Sequence, residues 1–204
     1  MPPTRRRLLR TTTGLITSLA TARAMANVQT PRAAEGPFYP RPSMRPDDID
    51  NDLVRVSGQV QHAGGAIVRL TGRIKNAAGE PQPGLRIEIW QCDAQGRYLH
   101  TGDRQAIVHD TGFQGFGHDI TDAAGTYRFR TIKPVAYPGR TPHIHVKVLD
   151  GSRERLTTQF YLKDHPANAR DVLYRRLSGA QAAAVDMVFD ETQPEPVAQV
   201  NIVV

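Results

Sequence analysis

The sequence has very little cysteine, since Cys92 is the only one in 204 residues. A lone cysteine excludes an internal disulfide, and it excludes metal sites built from several thiolates, such as those of zinc fingers. A metal site in this chain would therefore use nitrogen and oxygen donors.

The sequence also lacks an apolar run long enough to cross a bilayer. The longest candidate, residues 11–20, is short and rich in threonine, whereas a membrane-spanning helix needs about 20 apolar residues. We therefore expect no membrane association of the mature protein.

Acidic residues are missing from the first 26 positions, which carry five arginines. Residues 4–10 (TRRRLLR) have the form of a twin-arginine export signal, and a weakly apolar stretch follows them. Ala24-Met25-Ala26 is a typical cleavage site, with residues 22–24 as a second option. This pattern predicts an exported protein, periplasmic or secreted. A disordered basic tail is the alternative interpretation.

The same segment accounts for most of the chain's basic character. The whole chain has a formal net charge of +6 and a pI near 9.8, but five of its 26 basic residues lie in residues 1–26, which contain no acid. The remainder is close to neutral and shows no stripe of Lys and Arg interleaved with aromatics. Charge therefore gives no reason to expect nucleic-acid binding.

Short apolar segments separated by glycine and proline predict an all-β, single-domain β-sandwich. The expected strands are residues 66–75, 85–90, 126–132, 143–149, 156–162 and 197–204. Residues 101–118 are predicted to form a long loop, and residues 168–187 a short helical insertion. We divide the chain into the export signal (1–26), an extended proline-rich N-terminal arm (27–60) and the sandwich domain (61–204). The arm is expected to pack on the domain or on a second subunit.

A His-Ile-His sequence at residues 143–145 is the first candidate for a functional site. Residues i and i+2 of a strand point to the same face, so His143 and His145 project side by side, with Tyr137 in the loop before them. Two imidazoles on one face suggest half of a metal site. The alternative is an ordinary polar, half-exposed strand face.

Five segments together resemble the intradiol ring-cleavage dioxygenases, and most of all the subunits of protocatechuate 3,4-dioxygenase. They are EGPFY (35–39), WQCDAQGRY (90–98), FRTIKP with YP (129–134, 137–138), RTPHIH (140–145) and TQFY (158–161). The resemblance covers about residues 33–162. We expect no counterpart of the helical N-terminal domain of the catechol 1,2-dioxygenases, because only a short arm precedes the first predicted strand.

The resemblance implies a non-haem Fe(III) held by Tyr98, Tyr137, His143 and His145. It also implies that Tyr137 accepts a proton from the substrate, and that Arg140 stabilises negative charge on the attacked ring carbon. Gln159 is expected to support Arg140 by hydrogen bonding. The expected partners are a small catecholic diol and O2, and a homo-oligomer is compatible with this family. The expected product is a cis,cis-muconate that carries both oxygen atoms.

Alternatives remain at this stage. Arg140 could instead be a solvated charge in a loop. Gln159 could instead be an ordinary amide on the face of a sheet. The segment between Tyr137 and His143 is shorter than in the best-known members, and Gly139 stands where protocatechuate enzymes often carry tryptophan, which leaves the substrate open. A binding or carrier domain for aromatic ligands is the rival function. A hydrolytic zinc site is a weaker one, since zinc rarely takes two tyrosines.

Overall fold

The structure is a computed structural model and describes residues 28–204. The predicted export signal at residues 1–26 therefore lies outside the described residues. The regular secondary structure of the described part is mostly strands, arranged in two sheets. In chain order the strands are β1 (Ile67–Lys75), β2 (Arg86–Trp90), β3 (Phe116–Ile120), β4 (Thr126–Ile132), β5 (His143–Asp150), β6 (Arg153–Leu162), β7 (Asp186–Met187), β8 (Phe189–Asp190), β9 (Val197–Gln199) and β10 (Ile202–Val203).

Strand β1 is the centre of the first sheet. Along one edge it pairs antiparallel with β4, and Leu70 lies opposite Phe129. Along its other edge it pairs in parallel first with β9 and then with β10. Strand β8 completes this sheet by pairing with β9.

The second sheet has the strand order β3-β2-β5-β6-β7. Strand β5 pairs antiparallel with both β2 and β6, so His145 lies between Trp90 on one side and Gln159 on the other. By the same register His143 lies opposite Tyr161. Residues that are opposite each other on neighbouring strands share a face of the sheet, so these five side chains belong to one surface.

The two sheets pack through one hydrophobic core, which confirms the predicted β-sandwich. Burial alternates along β1, where Leu70 and Ile74 face inward and are fully buried. Ile89 and Val146 of the second sheet join them in the same cluster. Alternation of this kind is what a sheet with one face on the core requires.

Strand β5 is buried on both faces. Ile144, Val146 and Val148 are fully buried against the core, and His143 and His145, on the opposite face, are each only 1% exposed. The predicted metal-binding pair is therefore not a half-exposed polar face.

Residues 28–50 of the predicted arm (27–60) include the part that covers this outer face, and the only helical element among them is the 3-10 turn Pro42–Met44. The Thr158 hydroxyl donates to the carbonyl of Pro31 at 2.7 Å. The Gln159 amide donates to the carbonyl of Ala34 at 2.9 Å. The arm therefore packs on the domain itself, the first of the two arrangements expected for it.

Two strand predictions need correction. Residues 116–118, the end of the predicted loop 101–118, form the first part of β3, because pairing with β2 overrides a glycine-containing, polar sequence. Residues 197–204 were predicted as one strand and form two. Between β9 and β10 the Tyr127 hydroxyl donates to the Val200 carbonyl at 2.6 Å, and the Asn201 side chain accepts from the Arg73 N–H at 3.0 Å. Side chains thus replace two of the ladder bonds at this point, while the Val200 N–H still donates to the Thr71 carbonyl at 2.9 Å.

The helical insertion near the C-terminus is present but is mostly 3-10 helix. It comprises the 3-10 helices Pro166–Ala169 and Tyr174–Arg176 and the α-helix α1 (Gly179–Ala183), which Ser178 and Gln181 cap reciprocally. Nowhere in residues 28–204 is there a helix of the length and hydropathy needed to span a bilayer.

Gly72, in the middle of β1, provides a test of the packing between β1 and the C-terminal strands. A Cβ atom at this position would lie 1.7 Å from the Val200 carbonyl oxygen. We expect Gly72→Ala to lower the free energy of unfolding by about 2 kcal/mol or more, in the range of overpacked cores, as measured by urea denaturation. Gly179→Ala, where no atom lies within 4 Å of the added Cβ, is the control and should cost nothing. Equal stability of the two variants would contradict this packing.

Candidate metal centre

His143 and His145 reach the centre because they are the first and third residues of β5 and share its outer face. The Trp90 ring stacks on the His145 ring at a centroid distance of 4.8 Å and an interplanar angle of 10°. On another side, a Cβ at Gly36 would lie only 3.2 Å from Cε1 of His145. The arm therefore approaches this imidazole as closely as a glycine allows.

Tyr98 is placed by the loop between β2 and β3. Its backbone N–H donates to Oδ2 of Asp103 at 2.8 Å, which fixes the loop directly at the tyrosine. Gly96, with a φ of +83°, precedes it in a tight turn, and a Cβ there would lie 3.2 Å from the Ala136 carbonyl oxygen. This close approach brings the Tyr98 loop against the segment that carries Tyr137.

Tyr137 and Arg140 occupy the two ends of a β-turn. The Arg140 N–H donates to the Tyr137 carbonyl at 3.0 Å, Pro138 takes the second position, and Gly139 the third with a φ of +81°. Proline followed by a residue of positive φ is the signature of a type II turn. The turn places a phenol and a guanidinium beside each other.

The four predicted ligands converge in one place and form a closed ring of contacts. The ring centroids of Tyr98 and Tyr137 are 5.3 Å apart, those of Tyr137 and His143 are 5.5 Å apart, and those of His143 and His145 are 4.7 Å apart. The distance between Tyr98 and His145 is 6.1 Å. Phe38 of the arm stacks on Tyr98 at 4.7 Å and closes the group on that side.

The orientation of the imidazoles suits metal binding. Nδ1 of His143 lies 2.6 Å from the Thr141 carbonyl, and because a carbonyl only accepts, Nδ1 carries the proton and Nε2 keeps a free lone pair. Nε2 of His143 and Nε2 of His145 are 3.1 Å apart. Two nitrogens bound at about 2.1 Å and at right angles to one ion would be separated by about 3 Å.

Both histidines are neutral at pH 7. Burial lowers the pKa of His143 to about 4, and Arg140 acts in the same direction. Burial also holds the pKa of His145 well below its ordinary value, and His143 and Arg140 lower it further. A neutral imidazole is the form that binds metal ions.

Both tyrosines are protonated in the metal-free protein. Burial raises the pKa of Tyr98 well above its ordinary value, and Tyr137 raises it further. Burial also raises the pKa of Tyr137, although the nearby Arg140 opposes the shift. A multivalent cation among the four rings would reverse both shifts, because its charge compensates the phenolates.

These donors fit a hard, highly charged ion such as Fe(III). The Tyr98 hydroxyl is buried without a hydrogen-bond partner among residues 28–204, an arrangement that a metal ligand explains. No group of three His, Cys, Asp or Glu side chains in that range is placed to hold a metal. A metal at this centre would therefore depend on both tyrosines, and phenolate and imidazole are compatible with ferric iron.

Arg140 and Gln159, the two further predicted site residues, lie together beside the centre. Nη2 of Arg140 donates to Oε1 of Gln159 at 2.6 Å, and the Tyr161 hydroxyl donates to the same oxygen at 2.9 Å. Arg140 is 18% exposed at its side chain, and Gln159 is 1% exposed. Neither is a solvated surface group.

Sequence reasoning missed several residues at this centre. Trp90 stacks on His145 and Tyr161 bonds to Gln159, and neither is among the predicted site residues. Asp171, which pairs with Arg140 at 2.8 Å, carries no motif that could have identified it. The position of Trp90 at the end of a strand was the one available signal, because strand ends often border sites.

The fold and the centre together describe a β-sandwich protein whose candidate metal site consists of two phenols and two imidazoles. Comparison with known proteins identifies the family, since the model of the family described as Dioxygenase (Dioxygenase_C) matches residues 34–202. The chain belongs to the intradiol ring-cleavage dioxygenase family.

Individual relatives agree with this assignment. The chain is 36% identical over 161 residues to the protocatechuate 3,4-dioxygenase beta chain of Burkholderia cepacia, covering 75% of this chain and 66% of the relative. It is 30% identical over 189 residues to a catechol 1,2-dioxygenase of Acinetobacter baylyi, covering 82% and 56%. The chain thus spans between about half and two thirds of the length of these curated relatives.

A solved structure is similar over almost its whole length. It is the dioxygenase domain of a dioxygenase carbohydrate-binding protein fusion from Streptomyces sp. SirexAA-E, with 32% identity and a TM-score of 0.67. The similarity covers 86% of this chain and 97% of that one. The similarity thus extends over most of this chain.

The convergence of the four rings predicts that His145 is required for iron binding. We expect His145→Ala to weaken iron binding by at least about 100-fold, because even the hydrogen-bond partners of metal ligands are typically worth 10–100-fold. Iron per chain, measured by elemental analysis after gel filtration, tests this. His62→Ala, at an exposed histidine, is the control and should bind iron normally. A folded His145→Ala protein with a full complement of iron would contradict the ligand set.

Proposed function

We propose that this protein is an intradiol ring-cleaving dioxygenase that inserts both atoms of O2 into a catecholic diol. The observation that carries the proposal is the convergence of Tyr98, Tyr137, His143 and His145 in one buried centre, with ring centroids of neighbouring residues 4.7 to 6.1 Å apart. Membership in the family supports the same reaction. Protocatechuate or another substituted catechol is the proposed substrate.

Tyr98, Tyr137, His143 and His145 would hold a non-haem ferric ion. When bound, this ion would make the coordinated diol ring electron-poor and reactive toward O2 without an external reductant. The two phenolates would neutralise two of its three charges, which favours the ferric state. The two neutral imidazoles add donors without adding charge.

The two tyrosines differ in their surroundings, which supports different roles. Tyr98 is 2% exposed, whereas Tyr137 is partly exposed and sits in a turn. The phenolate oxygen of Tyr137 is thus the one with room to move away and accept a proton from the incoming diol. Burial raises the pKa of Tyr137, and the neighbouring guanidinium of Arg140 opposes this shift by favouring ionisation.

Arg140 supplies positive charge where negative charge would develop on the substrate ring. Its guanidinium is held by Asp171 at Nε and by Gln159 at Nη2, so the charge is oriented before the substrate binds. A charge fixed in a site that excludes most water stabilises a transition state at little reorganisation cost. Gln159 would support Arg140 in this role.

A cavity of about 580 Å³ borders Tyr98 and offers space for a small aromatic substrate. Its other lining residues come from the 3-10 turn of the arm and from the loop after Tyr98, and they include Met44, His100 and Ile107. Binding clefts for small molecules typically have volumes of about 300–1,000 Å³ and mostly apolar walls. The loop at residues 99–109 would then shape the substrate preference.

We also propose that the protein is exported by the twin-arginine route. The support is the arginine-rich, acid-free segment at residues 1–26 with its Ala-x-Ala site. That route carries folded proteins, which suits a protein that must acquire its iron before leaving the cytoplasm. Assembly into a homo-oligomer is compatible with this proposal.

The visible spectrum tests the proposed function directly. We expect the purified protein to be red-brown, because tyrosinate-to-Fe(III) charge transfer absorbs visible light, and we expect this band to shift when protocatechuate is added without oxygen. A protein that stays colourless after iron is supplied in air would contradict the dioxygenase and favour a carrier domain for aromatic ligands. A coloured protein whose band does not move would reject protocatechuate as the substrate.

Arg140→Ala should separate iron binding from turnover. We expect iron content and the visible band to be retained and kcat to fall by about 100- to 1,000-fold, the usual effect of removing one electrostatic stabiliser. Oxygen consumption with the diol that shifts the band measures this. The control is Arg73→Ala, which also removes one arginine but at an exposed position of β1. This variant should leave kcat unchanged. Full activity of Arg140→Ala would remove Arg140 from the mechanism.

A further inference from the structure

Asp171 has a completely buried carboxylate that makes four hydrogen bonds. Its Oδ2 accepts from Nε of Arg140 at 2.8 Å and from the backbone N–H of Thr141 at 3.0 Å. Its Oδ1 accepts from the backbone N–H groups of Leu173 at 2.9 Å and Tyr174 at 3.0 Å. Its side chain is 0% exposed.

The two oxygens of this carboxylate connect two parts of the chain. Oδ1 satisfies the N–H groups at the start of the 3-10 helix Tyr174–Arg176, in the manner of a helix cap. Oδ2 holds residues 140–141, immediately before β5. A carboxylate accepts at both ends, whereas an amide accepts at one end and donates at the other. An asparagine at position 171 would therefore point its NH2 group at N–H donors, either those of Arg140 and Thr141 or those of Leu173 and Tyr174.

The guanidinium of Arg140 is held at two points by partners of different elements. Asp171 accepts from Nε, and Gln159 on β6 accepts from Nη2 at 2.6 Å. Gln159 is itself fixed, because its amide donates to the Ala34 carbonyl of the arm. Two acceptors on different edges of a planar group define its orientation, and the bond to the ionised carboxylate is the stronger kind.

Asp171 is ionised at neutral pH. Burial opposes its ionisation, but the backbone N–H groups of Tyr174 and Thr141 and the guanidinium of Arg140 outweigh burial and lower its pKa. A buried carboxylate that stays charged needs this complete set of partners.

We propose that Asp171 is a positioning residue that aims the Arg140 guanidinium at the metal centre, and that the C-terminal segment at residues 166–177 belongs to the site for this reason. The part of the proposal that concerns turnover rests on the proposed function. The part that concerns the orientation of Arg140 does not, since it is a property of the metal-free protein.

The Nε–H signal of Arg140 in the NMR spectrum of the metal-free protein tests the orientation. The signal is assigned by comparison with Arg140→Lys, whose spectrum lacks it. We expect Asp171→Asn to shift this signal and to speed its exchange with water by about tenfold or more, the loss that one hydrogen bond to a charged group implies. Asp186→Asn, which removes a β7 carboxylate that accepts from the Tyr174 hydroxyl instead, should leave the signal unchanged. An unchanged signal in Asp171→Asn would overturn the proposal, whatever the activity.

Kinetics of the iron-loaded protein test whether Asp171 acts through Arg140. We expect Asp171→Asn to keep its iron and visible band, to lose about 10- to 100-fold in kcat, and to change KM little. In the Arg140→Ala background the same substitution should cause no further loss, because two residues that act as a unit are not additive. Losses that multiply, or a loss of kcat that follows a loss of iron, would overturn the role. An inactive parent protein would refute the proposed function but leave the NMR result valid.

Discussion

The outer face of β5 carries His143 and His145, and in a bare two-sheet sandwich it would be open to water. Here the arm, the Tyr98 loop and the Tyr137 turn cover it, so that both imidazoles are 1% exposed. Covering a polar strand face is costly unless its groups find partners. The arrangement of the site follows from this constraint, because each covering segment contributes a donor or a ring to the group around the histidines.

The electrostatics of the covered face explain why the donors are of these types. Burial keeps the imidazoles of His143 and His145 neutral and the phenols of Tyr98 and Tyr137 protonated. A singly or weakly charged ion would gain little from such a group, since releasing two buried phenol protons needs a large compensating charge. A ferric ion would provide that charge, and the resulting low net charge of the centre would be compatible with its burial.

Charged side chains outside the group of four rings also have partners. Glu88 and Lys147 lie on the same outer face, next to the histidine pair, and both bond to the arm. Lys147 pairs with Glu35 and lies 3.8 Å from the centroid of the Tyr39 ring, and the Tyr39 hydroxyl donates to Glu88 at 2.7 Å. These contacts fasten the arm over the site from one end. On the other side of the site, the hydrogen bonds of Asp171 hold the C-terminal segment at residues 166–177 in place. The site is therefore stabilised both by the N-terminal arm and by this C-terminal segment.

Much of the fold and of the candidate site could be predicted from sequence, because both depend on local patterns. Period-two alternation and glycine turns indicate the strands, and the His-x-His spacing places two imidazoles on one face of a strand. The strand β3 and the roles of Trp90 and Asp171 could not be predicted. Each depends on a partner distant in sequence: β3 on the edge of β2, Trp90 on the strand register that sets it against His145, and Asp171 on an arginine 31 positions earlier. Sequence by itself thus determined which residue types are available and which faces they occupy, and only the tertiary structure decided which of them meet, because strand register and loop packing bring together residues that no local pattern connects.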